Sequence, residues 1–432
     1  MTTDTIQLAI LGLGTVGTGC LSLLDYNQLM LARQCGANLK VTKALVSDLH
    51  KPRSPLVAGV RCFTEIDAII DDPDIAVVIE CIGGIQPARQ YIEAALAAGK
   101  AVVTANKALL AAHGAELMAC ARTHQVPLRF EAAVAGGIPI IKTLAEGLAA
   151  NRVFSIKGII NGTSNFILSQ MTQQQVEFAA ALKQAQSAGY AEADPHFDIN
   201  GIDAAQKLTI LAAMTFGLAW INISVATEGI VHISAFDIAM AKEWGYHIKP
   251  LAIAEAEANG VRLCVHPCFV SQSHILSHVD GIMNAVLIDS DALGESLYYG
   301  PGAGGTATAS AILADVVDTL THPNCPLPWV TADAAHAPEL LPIDDRQSAC
   351  YLRVWVQDKP GVLAEITRVL SEFGINIEKV IQRPTAANET RIPIALLTRE
   401  ACDSDITAAI AVIEQLSEVL VPVLRVRVAS FS

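Results

Sequence analysis

The chain opens on TIQLAILGLGTVGTGCLSLL (residues 5–24), a short apolar strand, a glycine turn and a helix. Gly12, Gly14 and Gly17 give the spacing GxGxxG, which is weak alone and strong between a strand and a helix at a chain start. Gly12 permits the tight turn, Gly14 lets a pyrophosphate approach the backbone, and Gly17 allows close helix packing. The free N–H groups of the helix N-terminus then face the phosphate. A strand and helix joined this way predict a parallel sheet, and the chain goes on alternating. NLKVTKALVSD, DIAVVIECIGG, KAVVTANKALL and VPLRFEAAVAGGIPII read as strands, with QPARQYIEAALAAG and GAELMACARTHQ as helices among them. DIAVVIECIGG reads as a fully apolar strand ending at Gly83-Gly84, suited to the middle of a sheet covered on both faces.

Ligands of such sheets bind past the carboxyl ends of the strands. Asp48 follows the second strand and would pair with ribose hydroxyls, whereas the nearby Lys51 and Arg53 favour a 2′-phosphate. Lys107 lies just past another strand end. Glu131 precedes a tight turn of small residues with Gly136-Gly137 and Pro139, where carbonyls crowded beside one carboxylate would suit a hard cation.

After Lys142 the alternation stops. RVFSIKGIINGTSNFILSQM reads as a strand, a turn at Asn161-Gly162-Thr163 and a helix; INISVATEGI and ANGVRLCVHPCFV are further strand-like segments. This predicts a second, α+β domain whose open sheet suits dimerisation. Within it, GYAEADPHFDINGIDAAQK (residues 189–207) concentrates Glu192, Asp194, Asp198 and Asp203 ahead of Lys207. The first half is rich in turn residues, and from Ile202 the spacing is helical. Asp203 and Lys207 therefore stand one turn apart on one helix face. Such a set could bind an amino group and deliver a proton to an oxygen, or it could be a solvated acidic cap. YYGPGAGGTATASAILADVVDTL supplies another glycine turn into a helix, expected to return to the first domain.

Residues 321–347, rich in Pro, Ala and Asp without periodicity, read as a linker. The last part repeats strand, helix, strand, strand, helix, strand, the βαββαβ order of a ferredoxin-like unit. The expected boundaries are 1–135 for the dinucleotide-binding domain, completed by the helix 303–320, then 136–320, the linker 321–347 and a regulatory unit 348–432.

Composition closes several alternatives. A formal net charge of −14 without a Lys/Arg cluster argues against nucleic acid. The uncharged run from Leu208 to Thr227 is broken by polar residues, so it reads as a buried helix running into a strand rather than a membrane span. The N-terminus has no basic n-region, and the ten cysteines include no CxxC pair, which together predict a cytoplasmic protein with reduced thiols. Cys264, His266 and Cys268 alternate on one strand face but lack standard zinc spacing, so core packing is the preferred reading.

GLGTVG, TANKALL, NGTSNFIL, GYAEADPHFDINGIDAAQKL, the PGAGG turn and the terminal βαββαβ unit together resemble the homoserine dehydrogenase family with a C-terminal ACT domain. The resemblance spans essentially the whole chain. It implies an α/β protein with an N-terminal Rossmann domain, a central α+β catalytic and dimerisation domain and the ACT domain, assembled as a homodimer or homotetramer. It implies hydride transfer between NADP or NAD, with NADP slightly favoured, and L-aspartate 4-semialdehyde or L-homoserine, in threonine, methionine and isoleucine biosynthesis. Lys207 matches the catalytic lysine, Asp203 its partner, and Lys107 a second active-site lysine between nicotinamide and substrate. Glu192 matches the acid that holds the substrate amino group, with Asp198, Tyr190, Gly162 and Thr163 in the same pocket. Gly12, Gly14, Thr15, Val16, Gly17, Gly83, Thr104, Lys107, Gly302, Gly304 and Gly305 correspond to cofactor contacts. Glu131, Val134, Gly136 and Ile138 match a sodium site, and threonine is the effector expected at the ACT domain. One departure stands out: Ser47 occupies a position where NADP-preferring members usually carry Arg.

Overall fold

A computed structural model describes residues 4–220, 223–323, 337–383 and 391–431. The chain divides into two compact units: residues 1–156, 206–224 and 284–339 form the first, and 157–205, 225–283 and 340–432 the second.

In the first unit, strands β1 (Thr5–Leu11), β2 (Asn38–Leu45), β3 (Arg61–Phe63), β4 (Ile75–Glu80), β5 (Ala101–Thr104) and β6 (Leu128–Arg129) pair in the order β3-β2-β1-β4-β5-β6. All five pairings are parallel. This is the doubly wound dinucleotide-binding arrangement, with its strand order reversing at β1/β4. Leu8, Ile10, Val77, Ile79 and Val103 form a dry layer under the helices Thr15–Tyr26 and Gly305–Thr321, the latter contributing Ala309, Ile312 and Val316. Those two helices approach so closely that a Cβ on Gly19 would lie 2.6 Å from the Gly305 carbonyl oxygen.

Two strand readings need correction. VPLRFEAAVAGGIPII is a strand only at Leu128–Arg129; a 3₁₀ turn at Glu131–Ala133 and positive φ at Ala135 (53°) and Gly136 (55°) prevent an extended chain beyond it. DIAVVIECIGG is not wholly apolar, because it carries Glu80, whose side chain is fully buried. Within the Leu208–Thr227 run, the helix Ile202–Phe216 ends at its phenylalanine, and no helix among the described residues is long and apolar enough to cross a membrane.

The second unit is organised by a long antiparallel hairpin, Tyr246–Glu257 with Gly260–Ser271. The first strand of this pair is missed by a segment-by-segment reading, because YHIKPLAIAEAE contains a proline and a run of helix formers. Every residue from Gly260 to Val270 is buried, Cys264, His266 and Cys268 among them. No group of three or more His, Cys, Asp and Glu able to hold a metal ion occurs among the described residues.

Along the Gly260–Ser271 strand the terminal strand Leu424–Val428 pairs in parallel, Cys268 opposite Arg427. Beyond it come Cys350–Gln357, Arg391–Thr398 and Ile377–Gln382, all antiparallel. With the helices Val362–Glu372 and Asp403–Ile413, this completes the βαββαβ unit read from the sequence. That unit has its own core around Leu352, Ile366, Leu396 and Ile406. A second core crosses its border: Tyr351, Ala395 and Val426 pack with Ile167, Leu168, Met171 and Phe269.

Beside that shared core, the wholly buried Asp237 accepts hydrogen bonds from the Tyr351 hydroxyl (2.7 Å), the Ser234 hydroxyl (2.7 Å) and the Arg353 guanidinium. Burial raises its pKa, and the guanidinium and hydroxyls oppose that rise. Removing one partner of a buried ion pair leaves an uncompensated charge. Asp237→Ala is therefore expected to cost about 3–5 kcal/mol of unfolding free energy, read from urea melts of the second unit's tryptophan fluorescence.

Candidate functional site

The glycine turn between β1 and the helix Thr15–Tyr26 has the geometry its spacing implies. Gly12 has φ +96°, and an added Cβ would sit 2.8 Å from the Cys81 carbonyl oxygen. A Cβ on Gly17 would lie 2.1 Å from the Gly12 oxygen, whereas nothing stands within 4 Å of one on Gly14. The turn thus stays open where a phosphate would approach and is filled where the helix must pack. Gly14 is the N-cap, and Thr15 and Val16 begin the helix, so their N–H groups belong to its unsatisfied first turn. These residues fit a dinucleotide.

At the carboxyl ends of β4 and β5, Glu80 organises the loops. Its Oε1 accepts from the N–H groups of Ile82 (2.7 Å) and Gly83 (3.1 Å), and its Oε2 from the Thr104 hydroxyl (2.5 Å). Asn106 caps the helix Lys107–His124 through Leu109 N–H and donates to the Gly84 carbonyl (2.6 Å). Lys107 is the first residue of that helix, where the macrodipole disfavours a cation. Sequence reasoning passed over Glu80 and Asn106; an acid ending an otherwise apolar parallel strand was the available signal.

Gly304 has φ +116° and Gly305 starts the helix Gly305–Thr321. Gly302 is held tightly: its Cβ position is 2.0 Å from the Asn284 amide, and a Cβ on Gly136 would lie 2.4 Å from the Gly302 oxygen. Both amide atoms of the buried Asn284 lack a hydrogen-bond partner.

Glu131 is buried, and its two carboxylate oxygens accept from Ile141 N–H (2.8 Å) and Lys142 N–H (2.9 Å). Its own N–H donates to the buried Asp315 (2.7 Å). Burial pushes both carboxyls up to about 7, with the Asp315 charge adding to the rise at Glu131. Two acids crowded in one dry pocket leave negative charge short of compensation. Val134 and Ile138 are buried on the same turn.

The acidic block falls in the second unit as far as Ala205, and there Asn161 gathers two of its members. The Asn161 amide nitrogen donates to Asp198 (2.8 Å) and Asp203 (2.9 Å), while its oxygen accepts from Ser164 N–H (2.8 Å), capping the helix Gly162–Gln174. The Ser164 hydroxyl adds a bond to the Asp198 carbonyl (2.9 Å). Gly201, with φ +79° and only 2.9 Å from Val265 to its Cβ position, turns the loop straight into the helix Ile202–Phe216. Asp203 is buried and Lys207 partly buried on that helix, four residues apart. Thr163 donates to the Tyr190 carbonyl (2.7 Å), and the Tyr190 ring, itself exposed, packs edge-on against Phe166. Gly162 meets the Ile282 carbonyl, 2.8 Å from its Cβ position, so backbone packing alone demands glycine there. Glu192 is exposed and is not drawn into the Asn161 cluster.

A Rossmann sheet with an intact glycine turn, an acid cluster ahead of a lysine and a C-terminal ACT unit define a nicotinamide-dependent oxidoreductase of amino-acid metabolism. Family models agree: the homoserine dehydrogenase NAD-binding domain matches residues 12–131, homoserine dehydrogenase matches 139–317, and the ACT domain matches 351–418. The homoserine dehydrogenase of Pseudomonas aeruginosa is 43% identical over 430 residues, covering 98% of each chain. A crystal structure of a homoserine dehydrogenase from Thiobacillus denitrificans superposes with a TM-score of 0.91 at 44% identity, covering 99% of both chains. A hyperthermophilic archaeal homoserine dehydrogenase in complex with NADPH matches with a TM-score of 0.62 at 26% identity, over 74% of this chain and 99% of its own. This chain belongs to the homoserine dehydrogenase family and is an NAD(P)-dependent oxidoreductase.

Asn161 is the residue on which the geometry of two acids depends. Asn161→Ala is expected to lower kcat/KM for homoserine about 100-fold, the scale of two hydrogen bonds to charged groups, while far-UV circular dichroism stays unchanged. A variant within threefold of the parent would show that the acids hold their places without it.

Proposed function

We propose that this chain interconverts L-aspartate 4-semialdehyde and L-homoserine, with Lys207 as the proton donor and Asp203 as the residue that orients it. The observation that carries this reading is the Asn161 amide holding Asp198 and Asp203 just ahead of Lys207 on the helix Ile202–Phe216. The nicotinamide, when bound, supplies or accepts the hydride. As hydride adds to the aldehyde carbon, negative charge grows on its oxygen, and the Lys207 ammonium neutralises it by giving up a proton. Glu192 and Asp198 grip the substrate ammonium, with Tyr190, Gly162 and Thr163 shaping the pocket. Lys107, set against its own helix dipole, completes the positive side of the site.

Gly12, Gly14, Thr15, Val16, Gly17, Gly83, Thr104, Gly302, Gly304 and Gly305 are the proposed cofactor contacts. NADP is slightly favoured through Lys51 and Arg53, in line with the NADPH bound by the archaeal relative. Arg53 donates to the carbonyls of Asp48, Leu49 (3.2 Å) and Lys51 (3.0 Å), which holds its guanidinium on the loop after Ser47. A sodium ion on the Glu131 carboxylate and the main-chain oxygens of Val134, Gly136 and Ile138 is supported by two buried acids lying side by side, Glu131 and Asp315. The ACT unit is proposed to bind threonine as a feedback effector, in a cytoplasmic homodimer or homotetramer that feeds threonine, methionine and isoleucine synthesis.

Acyl-phosphate formation through a cysteine is the rival chemistry, and it needs a thiolate. Burial instead pushes Cys264 up to about 11, Cys268 higher still and Cys350 up as well, while the neighbouring Cys20 thiol, and then burial, raise Cys81.

Lys207→Ala is expected to bind NADPH as the parent does and to lose about 10²–10⁴ in kcat; near-normal turnover would remove Lys207 from its role. Replacing sodium by tetramethylammonium at constant ionic strength is expected to lower the melting temperature by a few degrees, because an ion bound only to the folded state stabilises it by mass action. An unchanged melting curve would argue against the cation site.

A further inference from the structure

We propose that Glu228 is a positioning residue: its ion pair with Arg427 lets the C-terminal unit hold the acidic loop around Asp198 and Asp203 in place. The inference rests on reading those acids as the substrate pocket. Arg427, in the terminal strand Leu424–Val428, is fully buried. Its guanidinium spans two carboxylates, donating to Asp403 (2.6 Å) within the C-terminal unit and to Glu228 (2.8 Å) outside it. Arg425 adds a second bond to the same Glu228 oxygen (3.2 Å). Asp403 is fixed in turn by the Ser348 hydroxyl (2.7 Å) and heads the helix Asp403–Ile413.

From Glu228 the path to the acids is short and made of backbone. Glu228 N–H donates to the Val265 carbonyl (2.8 Å), extending the short strand Ala226–Thr227 laid on the hairpin. The next residue, Gly229, is pressed on the acidic loop, since a Cβ there would lie 2.6 Å from the Ile199 oxygen and 2.9 Å from Asn200 Cα. Ile230 N–H donates to the Ile199 carbonyl (2.9 Å). On the other side of the same turn, Gly201 abuts Thr227 and Val265 at 3.0 and 2.9 Å from its Cβ position. Residues 199–201 are thus clamped between Gly229 and Thr227, with Asp198 one residue before the clamp and Asp203 two after it. A surface ion pair is ordinarily worth little, but here the arginine is buried and Glu228 is joined to the loop by tight backbone contacts. A ligand that shifts the terminal strand would therefore displace the two acids.

The test compares the full-length parent with Glu228→Gln and Glu228→Asp in homoserine oxidation. Glu228→Gln is expected to raise KM for homoserine about tenfold, the scale of one charge-assisted hydrogen bond. Its kcat and its KM for NADP should stay close to the parent's, and its melting temperature should fall by no more than about 3 °C, because Asp403 still pairs with Arg427. Glu228→Asp, which keeps the charge, is expected to recover most of the loss, and it carries the test if the glutamine variant is insoluble. An unchanged KM for homoserine in both variants would overturn the proposal. So would a uniform loss of kcat, cofactor affinity and stability, which marks a purely structural role. A parent with no activity on homoserine would instead sink the functional reading on which the proposal stands.

Discussion

One neutral amide holding two carboxylates sets the geometry of the acidic block. Asp198 and Asp203 carry like charges, which repel at close range. The Asn161 nitrogen has two hydrogens, and each is spent on one acid. Because the same side chain caps the helix Gly162–Gln174 through Ser164, its orientation is fixed from the other end. Asn161 at the head of the helix Gly162–Gln174 is thus tied to Asp203 in the first turn of the helix Ile202–Phe216.

The first unit solves a related problem with buried acids. Glu80 is wholly enclosed, yet every bond it makes ties down a loop at the carboxyl edge of the parallel sheet. Its burial is offset by two backbone N–H groups and a hydroxyl, which is the condition for tolerating a dry carboxylate. Glu131 and Asp315 are likewise buried, and burial pushes both up to about 7 although backbone N–H groups bond to each. A parallel sheet concentrates such demands at one edge, where strands end, helices begin and phosphate-bearing ligands bind.

The ACT unit is more closely built in than a tethered regulatory module. Its terminal strand pairs with Gly260–Ser271, its residues Tyr351, Ala395 and Val426 share a core with Ile167 and Phe269, and its Arg353 neutralises Asp237. Apolar burial and a paired charge at the same border make separation costly on both counts. A unit joined in this way shares both its packing and its charge balance with the elements beside it.

The glycine turn, the parallel alternation, the helix bearing Asp203 and Lys207 and the terminal βαββαβ order were all legible along the chain. Each is governed by local spacing: period 2 or 3.6 in the side chains, and glycine where φ is positive or backbones touch. The strand Tyr246–Glu257 was not legible, because its proline and helix formers are overruled by a twelve-residue pairing with Gly260–Ser271. The turn after Leu128–Arg129 has a strand-like sequence for the converse reason: its apolar residues are buried in a 3₁₀ turn and a positive-φ bend rather than in a ladder. Nor could spacing reveal that Asn161 reaches Asp198 and Asp203, that Asp315 faces Glu131 from 184 residues away, or that Arg427 meets Glu228. Those contacts join segments remote in sequence, and only the packed chain brings such donors and acceptors within hydrogen-bonding distance.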